Sequence, residues 1–273
     1  MIGYYHSIAP FILPHLKGRP LSLHVKPINA NAPGFYIKDM EGRQPDCAEI
    51  FSDKRKNPKK GKRNTIDYLV CNNEETLLYM INLGCIDINP WTSRTTSDDY
   101  PDYIIIDLDP SDDGFQKAIE TAIAAKKLFD KYKLQTFVKT SGKTGIHIYI
   151  PCEGFIFSDA RIIAIKICDE IHNMLPEITT TKITVSKRDN KLYIDPNQND
   201  YADTLAAPYS ARPFHIPTVS TPLNWKEVNP KLNPSDFTIK TILGRLRKKR
   251  DLFKNILNEK IRKSNSKILK RFL

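Results

Sequence analysis

The spacing of apolar residues changes period along the chain, and the changes mark its elements. Tyr5, Ile8, Ile12 and Leu16 recur at helical spacing, with Pro10 and Pro14 interrupting, so residues 4–17 are expected to form a broken helix that ends at Gly18. Leu21–Val25 and Gly34–Ile37 read as two strands, a hairpin-like pair joined by a Pro- and Asn-rich loop. Tyr68–Cys71 reads as a strand, Asn73 caps a helix running to Leu83, Gly84 ends it, and Cys85–Ile88 returns as a strand. Asn89-Pro90-Trp91 precedes a polar loop, 92–99, that feeds the run Tyr103–Pro110. Beyond it, Phe115, Ile119, Ala122, Ile123 and Phe129 mark one face of a helix of about 18 residues. A strand Thr136–Thr140, a turn containing two glycines, an alternating strand to Ile150 and a helix from a Ser158 cap to Leu175 follow. Strands Leu192–Asp195 and Thr204–Ser210 precede a helix-prone, Lys-rich tail, 237–273. No internal repeat or linker divides the chain, which reads as one domain over 1–273 with a basic tail at 258–273.

The run Tyr103-Ile104-Ile105-Ile106-Asp107-Leu108-Asp109, bounded by Pro101 and Pro110, is a short buried strand delivering two carboxylates. Residues two apart on a strand share a face, so Asp107 and Asp109 project together with Cβ atoms about 6.7 Å apart. At an effective dielectric near 20 they repel by roughly 2.5 kcal/mol, which a divalent cation held between them would offset. The pair also fits a plainer role, capping the helix that follows.

Composition narrows the partners. The 273 residues include 42 Lys and Arg against 31 acids, a net charge of +11, which favours a polyanion such as nucleic acid. The segment Lys54–Arg63 is basic at seven of ten positions; it is either a solvated surface run or a loop that tracks phosphates. Lys17, Lys26, Lys59, Lys60 and Lys62 are the candidate DNA contacts. Phe35 and Tyr36 put one aromatic on each face of their strand, either as core or with one ring free to stack on a base. No 18-residue apolar run or signal peptide pattern occurs, so a soluble intracellular protein with no membrane partner is expected. The five cysteines lack CxxC spacing, which predicts reduced thiols.

The turn Ser141-Gly142-Lys143-Thr144-Gly145 opens into the strand that carries His147. Its glycines let backbone N–H groups approach an anion and Lys143 adds charge; the alternative is a tight hairpin with a surface histidine. Leu192–Asp195 repeats the central theme, a short apolar strand ending in a carboxylate. Three strand-end carboxylates beside an anion cradle suit two-metal phosphoryl transfer, with Arg212 adding a charge-assisted phosphate contact.

Taken as an ordered set, YYHSIAPFILPHLKGRPLSL, INPW, IIIDLDP, KTSGKTGIHIYIP, KLYIDPNQN, TLAAPYSARP and VSTPLNW resemble the polymerase domain of bacterial ligase D, within the archaeo-eukaryotic primase superfamily. The resemblance runs from about Tyr4 to Leu257. It implies an α+β primase-like fold with a central mixed or antiparallel sheet. It also implies addition of nucleotides, preferentially ribonucleotides, to DNA ends or gaps with a 5′-phosphate in non-homologous end joining, using two Mn²⁺ or Mg²⁺ ions. The implied partners are NTPs or dNTPs, a Ku-like end-binding protein and a DNA ligase, in a prokaryotic cytoplasm at the nucleoid. By the same resemblance, Asp107, Asp109 and Asp195 match the catalytic metal-binding triad, and Ser141, Lys143 and His147 the triphosphate motif. Gln198 and Arg212 match the nucleotide pocket, and Phe35 and Tyr36 an aromatic pair near the templating base. Ser141 is also the candidate for sensing a ribose 2′-hydroxyl, unless it only caps the turn.

Three positions depart from the family pattern. Asn89 stands where many relatives have His, and Lys143 falls one place before the Lys of some relatives. Relatives also carry an earlier lysine-bearing segment that grips the 5′-phosphate, so that grip is expected to be weaker here or supplied elsewhere. No ligase KxDG motif or His-rich nuclease segment is visible, which fits a separate polymerase or an excised domain. Two other readings compete: a replication-type primase, and a catalytically idle module that binds DNA ends.

Overall fold

A computed structural model describes residues 1–26, 33–54, 63–110, 114–214 and 216–273. The chain begins with α1 (Ile2–Leu16), β1 (Leu21–Val25), β2 (Phe35–Ile37), β3 (Glu49–Lys54), β4 (Thr65–Val70), α2 (Glu74–Asn82) and β5 (Cys85–Pro90). It continues through β6 (Tyr103–Asp109), α3 (Phe115–Tyr132), β7 (Phe137–Thr140), β8 (Ile146–Pro151), α4 (Phe157–Met174), β9 (Thr179–Thr180) and β10 (Leu192–Asp195). The last elements are β11 (Ala211–Arg212), β12 (Thr218–Val219), β13 (Pro222–Leu223), α5 (Ile242–Lys249) and α6 (Glu259–Leu269).

Six strands form the main sheet in the order β13-β7-β8-β6-β10-β9, antiparallel except for the parallel β10–β9 pair. This is the expected mixed sheet of an α+β fold. Its two faces follow from the period-two alternation of side chains. Ile104, Ile106, Leu108, Ile146, Ile148, Ile150 and Ile194 point to one face and are buried with Ala118, Ile119 and Ala122 of α3 and Ile163, Ala164 and Ile167 of α4. The opposite face begins with Tyr103, Ile105 and Tyr149, which pack with Phe253 and Ile256, and continues into Asp107, Asp109 and Asp195. A second core joins α1 and α2 to the β2-β1-β5 sheet and takes in Tyr209, Ala211, Val219 and residues of α5.

Several expectations are corrected. Helix α1 runs unbroken through Pro10 and Pro14. Both prolines face solvent, so the carbonyls they leave free are not forced into the core, while Tyr5, Ile8, Ile12 and Leu16 are fully buried. Ser158 lies inside the first turn of α4 and does not cap it; Ile156 is the N-cap and makes no side-chain bond. No strand forms over 204–210: Thr204 makes only an isolated bridge to Trp91, and Tyr209 turns the chain with φ +68°. The paired residues there are Ala211 and Arg212, opposite Val219 and Thr218. Phe35 and Tyr36 are both exposed, at 53% and 57%, so neither is core. The basic end of the chain forms α6, and Leu269 and Phe272 enter the main core. Asn265 ties α6 to the sheet by donating to Pro151 O (2.9 Å) and Gln135 O (2.9 Å).

The helix-cap expectation for α2 matches. Asn73 caps α2 by accepting from the Thr76 amide (2.8 Å), and all five cysteines are unpaired. Among the described residues no helix is long and apolar enough to cross a membrane.

One surface ion cluster clamps α5 to the loop after β13. Glu227 accepts from Arg245 (2.7 and 2.8 Å), Lys249 (2.6 Å) and the Asn224 amide (2.9 Å). Burial works against its charge, but these bonds outweigh it and hold the carboxyl down at about 2. A carboxyl whose folded pKa lies below its unfolded value near 4.3 stabilises above that value and loses its effect as pH falls through the folded pKa. Glu227→Gln is therefore expected to cost about 1–2 kcal/mol at pH 7 after allowance for solvent screening. Urea titrations should show the deficit closing between about pH 4 and pH 2.

Candidate active site

Strand register places four ionisable side chains in one line across four neighbouring strands. Lys139 of β7 faces His147 of β8, His147 faces Asp107 of β6, and Asp107 faces Asp195 of β10. Directly opposed residues share a face with Cβ atoms about 4.5–5.5 Å apart, so each reaches its neighbour. The Lys139 Nζ lies 2.8 Å from His147 Nδ1, and His147 Nε2 lies 3.4 Å from Asp107 Oδ1. Asp195 is held from below, its Oδ1 accepting from the Asn197 amide (2.8 Å), the Asn197 side chain (2.8 Å) and Tyr193 OH (3.2 Å). Asp109, next on the same face of β6, has Arg188 at 3.5 Å, and that guanidinium lies over the Tyr193 ring.

Burial of this row sets its electrostatics. Desolvation, with Asp109 and Asp195 adding like charge, pushes the Asp107 carboxyl up to about 8. Desolvation also raises Asp109, opposed by Arg188. The buried His147 ring is held well below the usual histidine range by desolvation and then by Lys139 and Arg212. Lys139, with no exposed surface, is likewise depressed by burial and by Arg212.

Asn199 supports β6 where β10 ends. Its Oδ1 accepts from the Ile105 amide (2.8 Å) and its Nδ2 donates to Ile105 O (2.8 Å), replacing the next rung of the ladder two residues before Asp107.

The turn after β7 is built differently from an open cradle. Ser141 Oγ accepts from the amides of both Lys143 (3.0 Å) and Gly145 (3.0 Å), so these N–H groups are used inside the turn. Ser141 is thus first a turn cap, with its own O–H left to offer. Gly142 has φ +77°, and a Cβ there would meet Arg212 Cγ at 2.5 Å; a Cβ on Gly145 would meet Leu108 O at 2.5 Å. The glycines serve a left-handed backbone and close packing on Arg212 and β6. His147 is 4% exposed, which overturns the surface-histidine alternative.

Beside the row is a cavity of about 220 Å³ lined by Asp107, Asp109, Ser141, Lys143, His147, Gln198 and Arg212, together with Tyr36 and Asn89. Seven residues singled out from sequence as catalytic or nucleotide-binding thus converge there, and Asp195 adjoins Asp107. Lys17 and Lys26 do not line it; Lys59, Lys60 and Lys62 lie outside the described residues. Asn89 is tethered through its Nδ2 to Ser22 O (3.3 Å) and Asp87 O (3.1 Å). Tyr36 stacks on His24 with ring centroids 4.6 Å apart and an interplanar angle of 12°. A larger groove of about 810 Å³ lies beyond Lys143 and Thr144, but among the described residues no carboxylate lines it.

Sequence reasoning passed over Lys139, Asp87 and Arg188. Asp87 is fully buried and accepts from Arg212 NH1 at 3.1 Å, steadying that guanidinium against the cavity. The available signal for Asp87 and Lys139 was an ionisable residue within a run otherwise reading as a buried strand.

The donor set suits hard divalent cations. Among the described residues no three His, Cys, Asp or Glu side chains form a ready-made metal cage. A largely buried Asp107 and a half-exposed Asp109 that repel each other, open to a cavity lined by Lys143 and Arg212, are nevertheless what Mg²⁺ or Mn²⁺ takes when phosphate oxygens and water complete its shell.

The model of the LigD primase-polymerase domain matches residues 1–253. The chain belongs to the LigD primase-polymerase domain family. It is 32% identical over 251 residues to the bifunctional non-homologous end joining protein LigD of Bacillus subtilis, covering 90% of this chain and 39% of that protein. The multifunctional LigD of Mycolicibacterium smegmatis is 29% identical over 257 residues, covering 92% and 33%. The chain therefore spans about a third to two fifths of these relatives. The solved polymerase domain from Mycobacterium tuberculosis ligase D in complex with DNA shares the fold, with TM-score 0.83, 24% identity and coverage of 94% of this chain and 91% of that one.

If Asn199 stands in for a ladder rung, Asn199→Ala leaves both Ile105 groups without partners and should cost about 2–4 kcal/mol. Denaturant unfolding measures that loss, and hydrogen exchange at Ile105 should rise with it.

Proposed function

We propose that this domain is a DNA-repair nucleotidyltransferase that extends ends or fills gaps in non-homologous end joining. The observation that carries this reading is the facing row Lys139–His147–Asp107–Asp195 with Asp109 beside it, bordering a cavity lined by Lys143 and Arg212. The end-joining names of the relatives and the DNA in the M. tuberculosis structure support it.

In this reading Asp107, Asp109 and Asp195 hold two divalent ions, Mn²⁺ or Mg²⁺. When bound, the ions lower the pKa of an attacking hydroxyl and neutralise the departing pyrophosphate. The protein's own part is positional. Arg212, braced by Asp87, and Lys143 receive the phosphates, and Gln198 borders the nucleotide. The exposed rings of Phe35 and Tyr36 offer faces on which a template base stacks, at about 1–3 kcal/mol per base. The excess of basic residues attracts the duplex without regard to sequence. A Ku-like protein, a DNA ligase and a 5′-phosphate belong to the same proposal, as does a cytoplasmic, nucleoid-associated location. An idle end-binding module would have no use for carboxylates clustered where phosphates approach, since they weaken DNA binding.

Primer extension on a gapped, 5′-phosphorylated duplex tests the reading. Asp107→Ala, Asp109→Ala and Asp195→Ala should each reduce extension by at least a hundredfold while duplex affinity stays within about twofold, because the carboxylates hold ions and not DNA. Near wild-type extension by Asp107→Ala would refute the metal assignment. Efficient synthesis with no primer would favour the primase alternative.

The sugar provides a separate test. A polar group at the ribose rewards a 2′-hydroxyl by about 0.5–1.5 kcal/mol, up to roughly tenfold in kcat/KM. With Mn²⁺, ATP should be preferred to dATP opposite the same template, and Ser141→Ala should reduce that preference. A preference for dATP in the wild type contradicts it.

A further inference from the structure

Lys139 is the unusual member of the row. It sits on a central strand with no exposed surface, opposite His147 and one strand further from the carboxylates. Three neighbours surround its Nζ: His147 Nδ1 at 2.8 Å, the Ser220 hydroxyl in a short hydrogen bond, and the Tyr149 ring at 5.8 Å. Ser220 gives its own hydrogen to Thr140 O (3.2 Å), so its oxygen receives one from Nζ. The amine is thereby anchored on its far side and aimed at the imidazole.

Direction follows from the hydrogens on Nζ. Charged or neutral, it carries at least two; one goes to Ser220, and among the described residues His147 Nδ1 is the other hydrogen-bond partner in reach. Were Nδ1 protonated, a buried N–H of the lysine would be left without an acceptor. His147 Nε2 lies at the far end of the ring, 3.4 Å from Asp107 Oδ1. With Nδ1 accepting from Nζ, Nε2 carries the hydrogen and points it along the row. Lysine serves in either charge state, because the ammonium and the amine both have hydrogens to donate.

We infer that Lys139 is a positioning residue for His147: it donates to Nδ1, holds the ring in the Nε2–H form and aims that N–H toward Asp107 and the phosphates bound beside it. The assignment extends the line of function by one strand beyond the nucleotide motif. The tautomer claim stands on geometry alone, whereas its effect on turnover rests on the nucleotidyl-transfer reading.

Nitrogen-15 NMR of the full chain tests the first part. Six histidines are present, and loss of one set of signals in His147→Asn identifies the ring. Wild-type His147 should show a bare Nδ1 and a protonated Nε2 at neutral pH; Nδ1–H would overturn the inference. Lys139→Met, similar in length and apolar, should leave the ring in mixed tautomers, and an unchanged tautomer would also overturn it. Should that variant fail to fold, the wild-type spectrum still decides between the two forms.

Turnover tests the second part. Lys139→Met should lower kcat/KM for the nucleotide about tenfold, as loss of a partner to a working histidine does, with little change in duplex affinity. In a His147→Ala background the same substitution should add almost nothing, because the two act as one unit. Additive losses would show Lys139 acting independently of His147 and overturn the positioning role. A wild-type protein inactive in extension, but with a Lys139-dependent tautomer, would refute the enzyme reading and uphold the lysine–histidine pair.

Discussion

Cross-strand register is the constraint on which this molecule depends. Four neighbouring strands bring Lys139, His147, Asp107 and Asp195 into direct opposition, and a shift of one residue in any of them would send its functional side chain into the apolar face. The two faces are sharply unlike. One is isoleucine packed on α3 and α4; the other carries two tyrosines and then charge. Burying the wrong set would expose several large apolar side chains at roughly 1.5–3 kcal/mol each, so the hydrophobic core fixes the register and the register assembles the site. Asn199 and the Ser141 turn guard the two points where the ladder itself gives out.

Much of this could be read from the chain, in proportion to how local the signal was. Period-two alternation in Tyr103–Asp109 put both aspartates on one face, and the similar strand ending at Asp195 marked the third carboxylate. Which strands are neighbours is a long-range fact, however, so the order that makes Lys139 face His147 was not legible. Helix α1 defeated the usual meaning of proline because both prolines fall on the solvent side. The aromatic pair at Phe35 and Tyr36 was half misjudged: alternation implied that one ring is core, but β2 has only three residues and sits at the edge of its sheet, leaving both exposed. The predicted strand at 204–210 failed where tertiary packing bends the chain through Tyr209.

The glycine turn is built differently from what its sequence suggested. An anion cradle was expected from free amides, yet Ser141 takes two of them. The positive charge that borders the cavity comes from side chains: Lys143, and an Arg212 held by Asp87 and packed over Gly142. Side-chain cations on braced stems give a longer reach than backbone amides. The brace on Arg212 is a fully buried acid that no local pattern near the turn announces.

The edge position of β2 has a consequence for colloidal behaviour. A three-residue strand offers little edge to pair with, but it displays two aromatic rings to solvent. A net charge of +11 keeps copies apart while ionic strength is low, but the Debye length shrinks from about 30 Å at 0.01 M salt to about 3 Å at 1 M. Ionic strength thus sets how much of that repulsion an approaching molecule meets at the exposed rings.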